Sequence, residues 1–495
     1  MYYVSTRDSA RRVTASEAIV EGLSRDGGLY LPESIPQLLV DDLIAMIPLP
    51  YPERAARVMK LFLDEFSMQE LLGYAKKAYA APQKFDTPAC APVVRLDSAT
   101  YIQELWHGPT CAFKDMALQM LPYLLTASMQ KTGEQKTVCI LVATSGDTGK
   151  AALEGFRDVP GTKILVFYPD GGVSDIQKLQ MVTQEGRNVG VAAVRGNFDD
   201  AQSGVKRIFS DETLRRTLAE RGFVLSSANS INWGRVLPQI AYYVSAYCDL
   251  LAAGAVKAGK PVNICVPTGN FGNILAAWYA KHMGVPVKTL ICASNENDVL
   301  TEFIRTGVYN SRRPFYQTAS PSMDILISSN LERLLRLLSG SDEAVRGYMR
   351  QLGETGSYRV DEKLHRAIAA EFAAGSCTDR EGAEQISRRF SRDGYLLDTH
   401  TAIAMAVLEQ YRAETNDAVP TVVASTASPF KFCASVLRAI GQTEPVAGTA
   451  VIDQLARVCG TPAPRPLAEL AGKPVRFCRV VERSCLADAV TEFLR

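Results

Sequence analysis

Residues 137–156 read TVCILVATSGDTGKAALEGF. The first seven form an unbroken apolar and β-branched run without polar alternation, as a strand buried on both faces requires. A turn rich in glycine and hydroxyls follows, and an amphipathic helical stretch comes after it. The same unit recurs along the chain. KILVFYP (163–169) precedes SDIQKLQMVTQEG, FVLSSA precedes GRVLPQIAYYVSAYCDLLAAG, and VNICVPT (262–268) precedes NFGNILAAWYAKHMG. TLICAS (289–294) and TVVAST (421–426) are likewise followed by helical stretches. Short buried strands separated by helices predict βαβ units and parallel sheets covered by helices on both faces. In such sheets ligands sit beyond the carboxyl ends of the strands, so the strand-to-helix loops are where chemistry is expected.

The chain has 495 residues, more than one hydrophobic core usually supports, so two or three domains are expected. Residues 1 to about 95, with mixed helices and the turns YLPESIP and PLPYPE, read as a separate helical unit, and 331–395 as a polar helical insertion. With 54 basic against 53 acidic residues there is no overall field for nucleic acid or anionic lipid. The N-terminal residues lack a signal-like apolar run, and no stretch approaches the ~18 apolar residues of a membrane span. Eleven cysteines without a CxxC pair, most of them in apolar strings, read as reduced core thiols of a cytoplasmic protein. Four histidines in separate places predict no metal site.

Three strand-to-helix loops carry the candidate chemistry. Thr144, Ser145, Gly146, Asp147 and Thr148 pack hydroxyls and a glycine at a helix start, where backbone amides can face an anion. Lys150 suggests a nucleotide P-loop, but that pattern needs glycine at position 144 and a hydroxyl residue at 151, where the chain has Thr144 and Ala151. Gly269, Asn270, Phe271, Gly272 and Asn273 form a second cradle, its glycines permitting close approach of a phosphate. The stretch SSANSINWGR (226–235) adds Ser230, Asn232 and Arg235 before a helix. Two cradles and an arginine predict a ligand with more than one anionic group. Lys114, in HGPTCAFKD (107–115), stands at a helix start, where the dipole disfavours a cation. Held near anion sites and desolvated, such a lysine supplies a neutral amine, and an amine beside a phosphate cradle is what pyridoxal phosphate requires.

The chain resembles the threonine synthase family of the longer microbial and fungal type. STRDS, GLSRDGGLYLPESIP, LWHGPTCAFKD, ATSGDTGKAA, SDIQKLQM, SANSINWGR, PTGNFGNI, SPSMDILISSNLER, LDTHTA and ASTASPFKF occur in one order over nearly the whole chain. The resemblance implies a fold type II pyridoxal-phosphate enzyme, similar to the tryptophan synthase β subunit, with the cofactor between two α/β domains. It implies an N-terminal region at 1–96, a large domain made of 97–135 and 230–495, and a small domain at 136–229. It further implies that Lys114 holds the cofactor and moves protons, that Gly269 to Asn273 take the cofactor phosphate, and that Thr426 meets the pyridine nitrogen. Thr144 to Thr148 would take the substrate carboxylate, with Asp147 towards the ring oxygen. Ser230, Asn232 and Arg235 would take the substrate phosphate. The implied reaction, the last step of threonine biosynthesis, converts O-phospho-L-homoserine and water to L-threonine and phosphate in a monomer or homodimer. Relatives often have histidine where this chain has Ser428. The rival reading is a phospho-lyase or a serine or threonine deaminase. His107 and His400 read as structural groups, Lys150 and Lys431 as solvated or paired, and Trp106 and Phe113 as walls of the site.

Overall fold

The computed structural model describes residues 1–442 and 444–495. Its larger sheet has six strands in the order Phe372–Ser376, Val287–Ser294, Val262–Pro267, Thr421–Ser425, Thr100–Glu104 and Val93–Arg95. The first five run parallel and the last antiparallel. The smaller sheet is parallel throughout, in the order Val480–Val481, Val189–Val194, Thr162–Pro169, Thr137–Ala143 and Phe223–Ser226. Val262–Pro267, Val189–Val194 and Thr421–Ser425 are buried at every residue, which explains why their sequences lack polar alternation.

Helix Trp233–Ala252 runs through the core of the larger unit with nearly all of its residues buried. Trp233, at its first turn, packs against Tyr3 (ring centroids 5.6 Å apart), Phe62 (5.7 Å) and Tyr279 (5.3 Å). Offset aromatic pairs contribute about 0.5–1.5 kcal/mol each beyond their buried area. These contacts join the N-terminal residues, the first helices and the helix behind the second glycine loop in one core.

The fold refines the expected limits at three points. The N-terminal region is helical, with Ala15–Glu21, Val40–Met46, Tyr51–Phe62 and Met68–Ala78, but it also holds a small antiparallel sheet of Arg12–Val13, Tyr3–Ser5 and Tyr30–Pro32, and Val93–Arg95 joins the larger sheet. The polar stretch at 331–395 is not wholly an insertion, because Phe372–Ser376 supplies the larger sheet's edge strand. The chain's end leaves the large domain: Val480–Val481 pairs with Ala193–Val194, and helix Leu486–Phe493 packs Leu486 and Val490 on the smaller sheet's outer face.

Candidate active site

The turn before Lys114 is closed by Asp115, whose carboxylate accepts from the Thr110 amide (2.8 Å) and hydroxyl (2.7 Å). A Cβ at Gly108 would lie 2.6 Å from that side chain, so the turn needs glycine there. The Phe113 amide donates to the Thr426 carbonyl at 2.8 Å, tying the Lys114 loop to the end of strand Thr421–Ser425. Lys114 therefore begins helix Asp115–Leu118 beside the strand ends, its Nζ 3.9 Å from Asp147 Oδ2 and 3.5 Å from Ser322 Oγ. Burial pushes its ammonium down to about 8; Arg235 and Lys431 push the same way and Asp147 opposes them.

Asp147 starts helix Asp147–Phe156 behind the Thr144 loop. Lys431 Nζ lies 2.9 Å from its Oδ1, and Gln177 Nε2 donates to that oxygen at 2.8 Å. Gln177 is aimed by its own helix start, where Ser174 caps its amide in a reciprocal capping box. Burial alone would raise the Asp147 carboxyl, but Lys431 and Lys114 outweigh it and hold it well below the carboxylate range. Lys431, fully buried, also donates to the Thr110 carbonyl at 2.9 Å. Of the two expectations for Lys431, solvated or paired, the fold shows the second.

The two glycine loops differ in what they leave open. Thr144 Oγ1 is spent within its own loop, accepting from the amides of Gly146 and Gly149 at 2.9 Å each. Gly146 and Asp147 lie outside the cavity lining, so on this loop the open side chains on the cavity are Ser145 and Thr148. In the second loop the amides of Asn270, Phe271, Gly272 and Asn273 have no acceptor among the described residues. Phe271 adopts φ 60° and turns the chain into helix Gly272–His282. Tyr242 and Tyr243 each donate to Asn273 Oδ1 at 2.5 Å, which leaves its buried Nδ2 without a partner. A Cβ at Gly269 would lie 2.6 Å from the Ser322 carbonyl. These features fit a phosphate: free amides at a helix start, a buried donor and a glycine where segments meet closely.

Arg235 is buried and carries no acidic partner among the described residues; one Nη donates to the Ala228 carbonyl while Nε has none. Burial lowers it to about 10. Ser230 lines the same cavity and accepts from Asn330 Nδ2 at 3.0 Å. Asn232 is a correction. Its Oδ1 caps the Gly234 amide (2.8 Å) and its Nδ2 donates to the carbonyls of Ile19 (3.0 Å) and Ser227 (3.3 Å), so it holds the helix start and does not line the cavity. Thr426 lines the cavity, and its hydroxyl has no partner among the described residues. Ser428 caps the turn Pro429–Lys431 that delivers Lys431.

Lys114, Ser145, Thr148, Ser230, Arg235, the second glycine loop and Thr426 line one cavity of about 1190 Å³ between the two sheets and the N-terminal region. The reading from sequence missed Ser322 and His400 on its wall and Arg333 behind it. Arg333 is fully buried and donates to the carbonyls of Tyr30 (2.8 Å) and Ser230 (3.2 Å), bracing the Ser230 loop. The segments SPSMDILISSNLER and LDTHTA were the available signal for all three.

Sequence comparison defines the class first. Residues 86–426 match the family described as pyridoxal-phosphate dependent enzyme, 2–79 the threonine synthase N terminus, and 401–493 the threonine synthase C-terminal family. The chain is 40% identical over 457 residues to threonine synthase-like 1 of Macaca fascicularis, covering 88% of this chain and 60% of that protein. It thus spans about 60% of the length of the relative it matches there. It is 38% identical to threonine synthase of Pseudomonas aeruginosa, over 89% of this chain and 91% of that one. The crystal structure of PLP-bound threonine synthase from Brucella melitensis superposes with a TM-score of 0.87 at 38% identity, covering 100% of both chains. The chain belongs to the threonine synthase family of pyridoxal-phosphate-dependent enzymes.

Proposed function

We propose that this chain converts O-phospho-L-homoserine and water to L-threonine and phosphate, using pyridoxal phosphate. The observation that carries the reading is a perturbed lysine amine facing two separate anion positions: the free amides of Asn270 to Asn273 with Asn273 Nδ2, and the unshared edge of Arg235. One suits the phosphate of the cofactor, the other the phosphate of a substrate. Bound there, the cofactor supplies an electron sink for carbanions at the α- and β-carbons. Asn270 to Asn273 would hold its phosphate, Lys114 its aldehyde carbon, and the Thr426 hydroxyl its ring nitrogen.

Lys114 Nζ takes a proton from the α-carbon and then from the β-carbon, work that suits an amine near neutrality. Arg235 binds the phosphate and stabilises its charge as the bond to the γ-carbon breaks. A proton returned to the γ-carbon makes the methyl group, water adds its hydroxyl at the β-carbon, and a proton returned to the α-carbon completes the amino acid. Ser145 and Thr148 would orient the substrate carboxylate. Asp147, fixed by Lys431 and Gln177, serves as the counter-charge to Lys114. No helix among the described residues is long and apolar enough to cross a membrane, and the eleven cysteines are all free, which supports a reducing, cytoplasmic setting.

The test is the absorption spectrum of the purified protein with pyridoxal phosphate, before and after O-phospho-L-homoserine, with phosphate and threonine assayed together. A band that disappears in Lys114→Ala, with equal phosphate and threonine, is expected. Phosphate with a keto acid in place of threonine would make the chain a phospho-lyase.

A further inference from the structure

Ser322 and His400 join the cavity from distant parts of the chain. Ser322 lies in the turn Pro321–Met323, with Oγ 3.5 Å from Lys114 Nζ and 3.3 Å from Asp147 Oδ2. Its amide donates to His400 Nε2 at 3.2 Å. That contact makes Nε2 the acceptor, so the ring proton sits on Nδ1, which lies 3.1 Å from Asp398 Oδ1. Asp398 is itself fixed, its Oδ1 accepting from the His400 amide at 2.9 Å at the start of helix Thr399–Thr415. The turn itself packs on the second glycine loop, where a Cβ at Gly269 would lie 2.6 Å from the Ser322 carbonyl, and the segment after it is bonded there, Ser328 Oγ donating to the Gly269 carbonyl at 2.8 Å and the Asn330 amide to the Asn270 carbonyl at 3.1 Å. Whatever seats on that loop therefore has Ser322 held in register with it.

We propose that Ser322 is a catalytic residue that orients the Lys114 amine, and that His400, with Asp398 behind it, is a positioning residue for Ser322. The hydroxyl accepts one N–H of Lys114 and donates to Asp147, so the remaining face of the nitrogen is directed at the substrate. Without this bridge the lysine, on a flexible four-carbon stem, samples orientations from which its lone pair misses the reacting carbon. The charged and titratable groups around Nζ are Asp147, Arg235, Lys431 and His400, and among them Asp147 alone reaches it directly within 4.0 Å. Ser322 is thus the neutral link between amine and carboxylate.

This inference rests on the reading of Lys114 as the reacting amine, and the experiment separates the two. The full chain is made as Ser322→Ala, His400→Phe and His400→Gln. Each variant is assayed with pyridoxal phosphate and O-phospho-L-homoserine, and its fold is checked by thermal melting. In cofactor-free samples, labelling of Lys114 by acetic anhydride is followed by peptide mass spectrometry. Ser322→Ala is expected to lower kcat about 10- to 100-fold with KM little changed, the cost of a misaimed group. The same variant should be labelled about threefold faster at pH 7.5, because the ammonium loses an acceptor. A merely damaged structure would not make the amine more reactive while slowing turnover. His400→Phe should copy Ser322→Ala, His400→Gln should recover most of the loss through its amide oxygen, and the double variant should be no worse than the worse single. Wild-type labelling and turnover in Ser322→Ala, or additive losses in the double variant, would overturn the proposal alone. A wild-type chain that forms no band with pyridoxal phosphate would overturn this proposal and the function together.

Discussion

At the scale of single residues, the lysine is governed by what has been taken away from it. Lys114 loses water, faces the positive end of a helix and has two other cations nearby, with Asp147 as its close counter-charge. In the cofactor-free protein its labelling midpoint should lie near pH 8, far below an ordinary lysine. Asp147→Asn should move that midpoint lower still, because the opposite charge favouring the ammonium is removed. It should also destabilise the fold by about 3 kcal/mol, since Lys431 is left buried without its carboxylate. Both are measurable, the first by pH-dependent acetylation and the second by urea unfolding. Arg235 and Asn232 form a second contrast. Arg235→Ala should raise KM for O-phospho-L-homoserine about 10- to 100-fold, the worth of charge-assisted hydrogen bonds to phosphate. Asn232→Ala should leave KM alone and cost about 1 kcal/mol of stability as a lost helix cap. Asn232 was misread because an asparagine before a helix has the same appearance in sequence whether it caps the helix or binds a ligand. That Lys114 stands at a helix start and that the second glycine loop joins a strand to a helix could be read from the sequence, because each lies in one short stretch. The meeting of Ser322 and His400 could not, since it arises only on folding.

Among the elements, the approach of two helices sets how the units sit around the cavity. Helix Asp147–Phe156 of the smaller unit crosses helix Asp115–Leu118, and a Cβ at Gly155 would lie 2.1 Å from the Leu118 carbonyl. Backbone stands at that point, so nothing can rotate aside. In an exposed helix, glycine to alanine gains up to about 1 kcal/mol. Here Gly155→Ala should cost about 1–3 kcal/mol through overpacking, and it should lower kcat as well by shifting Asp147 away from Lys114. Equal loss of stability and activity in chemical denaturation and steady-state assays would bear this out; a more stable, fully active variant would refute it. The long strands could be read from their apolar runs. Phe372–Ser376, with sequence FAAGS, could not, because alanine and glycine give an edge strand no β-branched signal, and its pairing with Leu290–Ser294 is a property of the sheet.

On the scale of the whole molecule, the chain's two ends brace different halves of the site. The N-terminal residues close the larger unit: Thr6 Oγ1 donates to Glu332 at 2.6 Å and Arg7 Nε at 2.8 Å, next to Arg333, which braces the Ser230 loop. The C-terminal residues close the smaller one. Arg476 donates to the carbonyls of Gln184 and Gly186, Val480–Val481 extends the sheet, and Leu486 and Val490 cover Leu165, Phe167 and Val194. This clasp escaped the reading of the sequence because a two-residue strand has no periodicity, and nothing in its composition says which sheet it will join. Its consequence is specific. A chain ending at residue 473 should keep the larger unit folded while exposing one face of the smaller sheet, whose residues then lose about 25 cal/mol for each Å² of apolar surface returned to water. Hydrogen exchange should rise across Thr137–Ala143 and Thr162–Pro169 and remain slow in Val262–Pro267. Because Ser145, Asp147 and Thr148 belong to the loosened unit and Lys114 to the intact one, the truncated protein should still give the lysine-dependent absorption band with pyridoxal phosphate yet turn over at least tenfold more slowly. Unchanged exchange in the smaller sheet would mean that its core stands without the clasp.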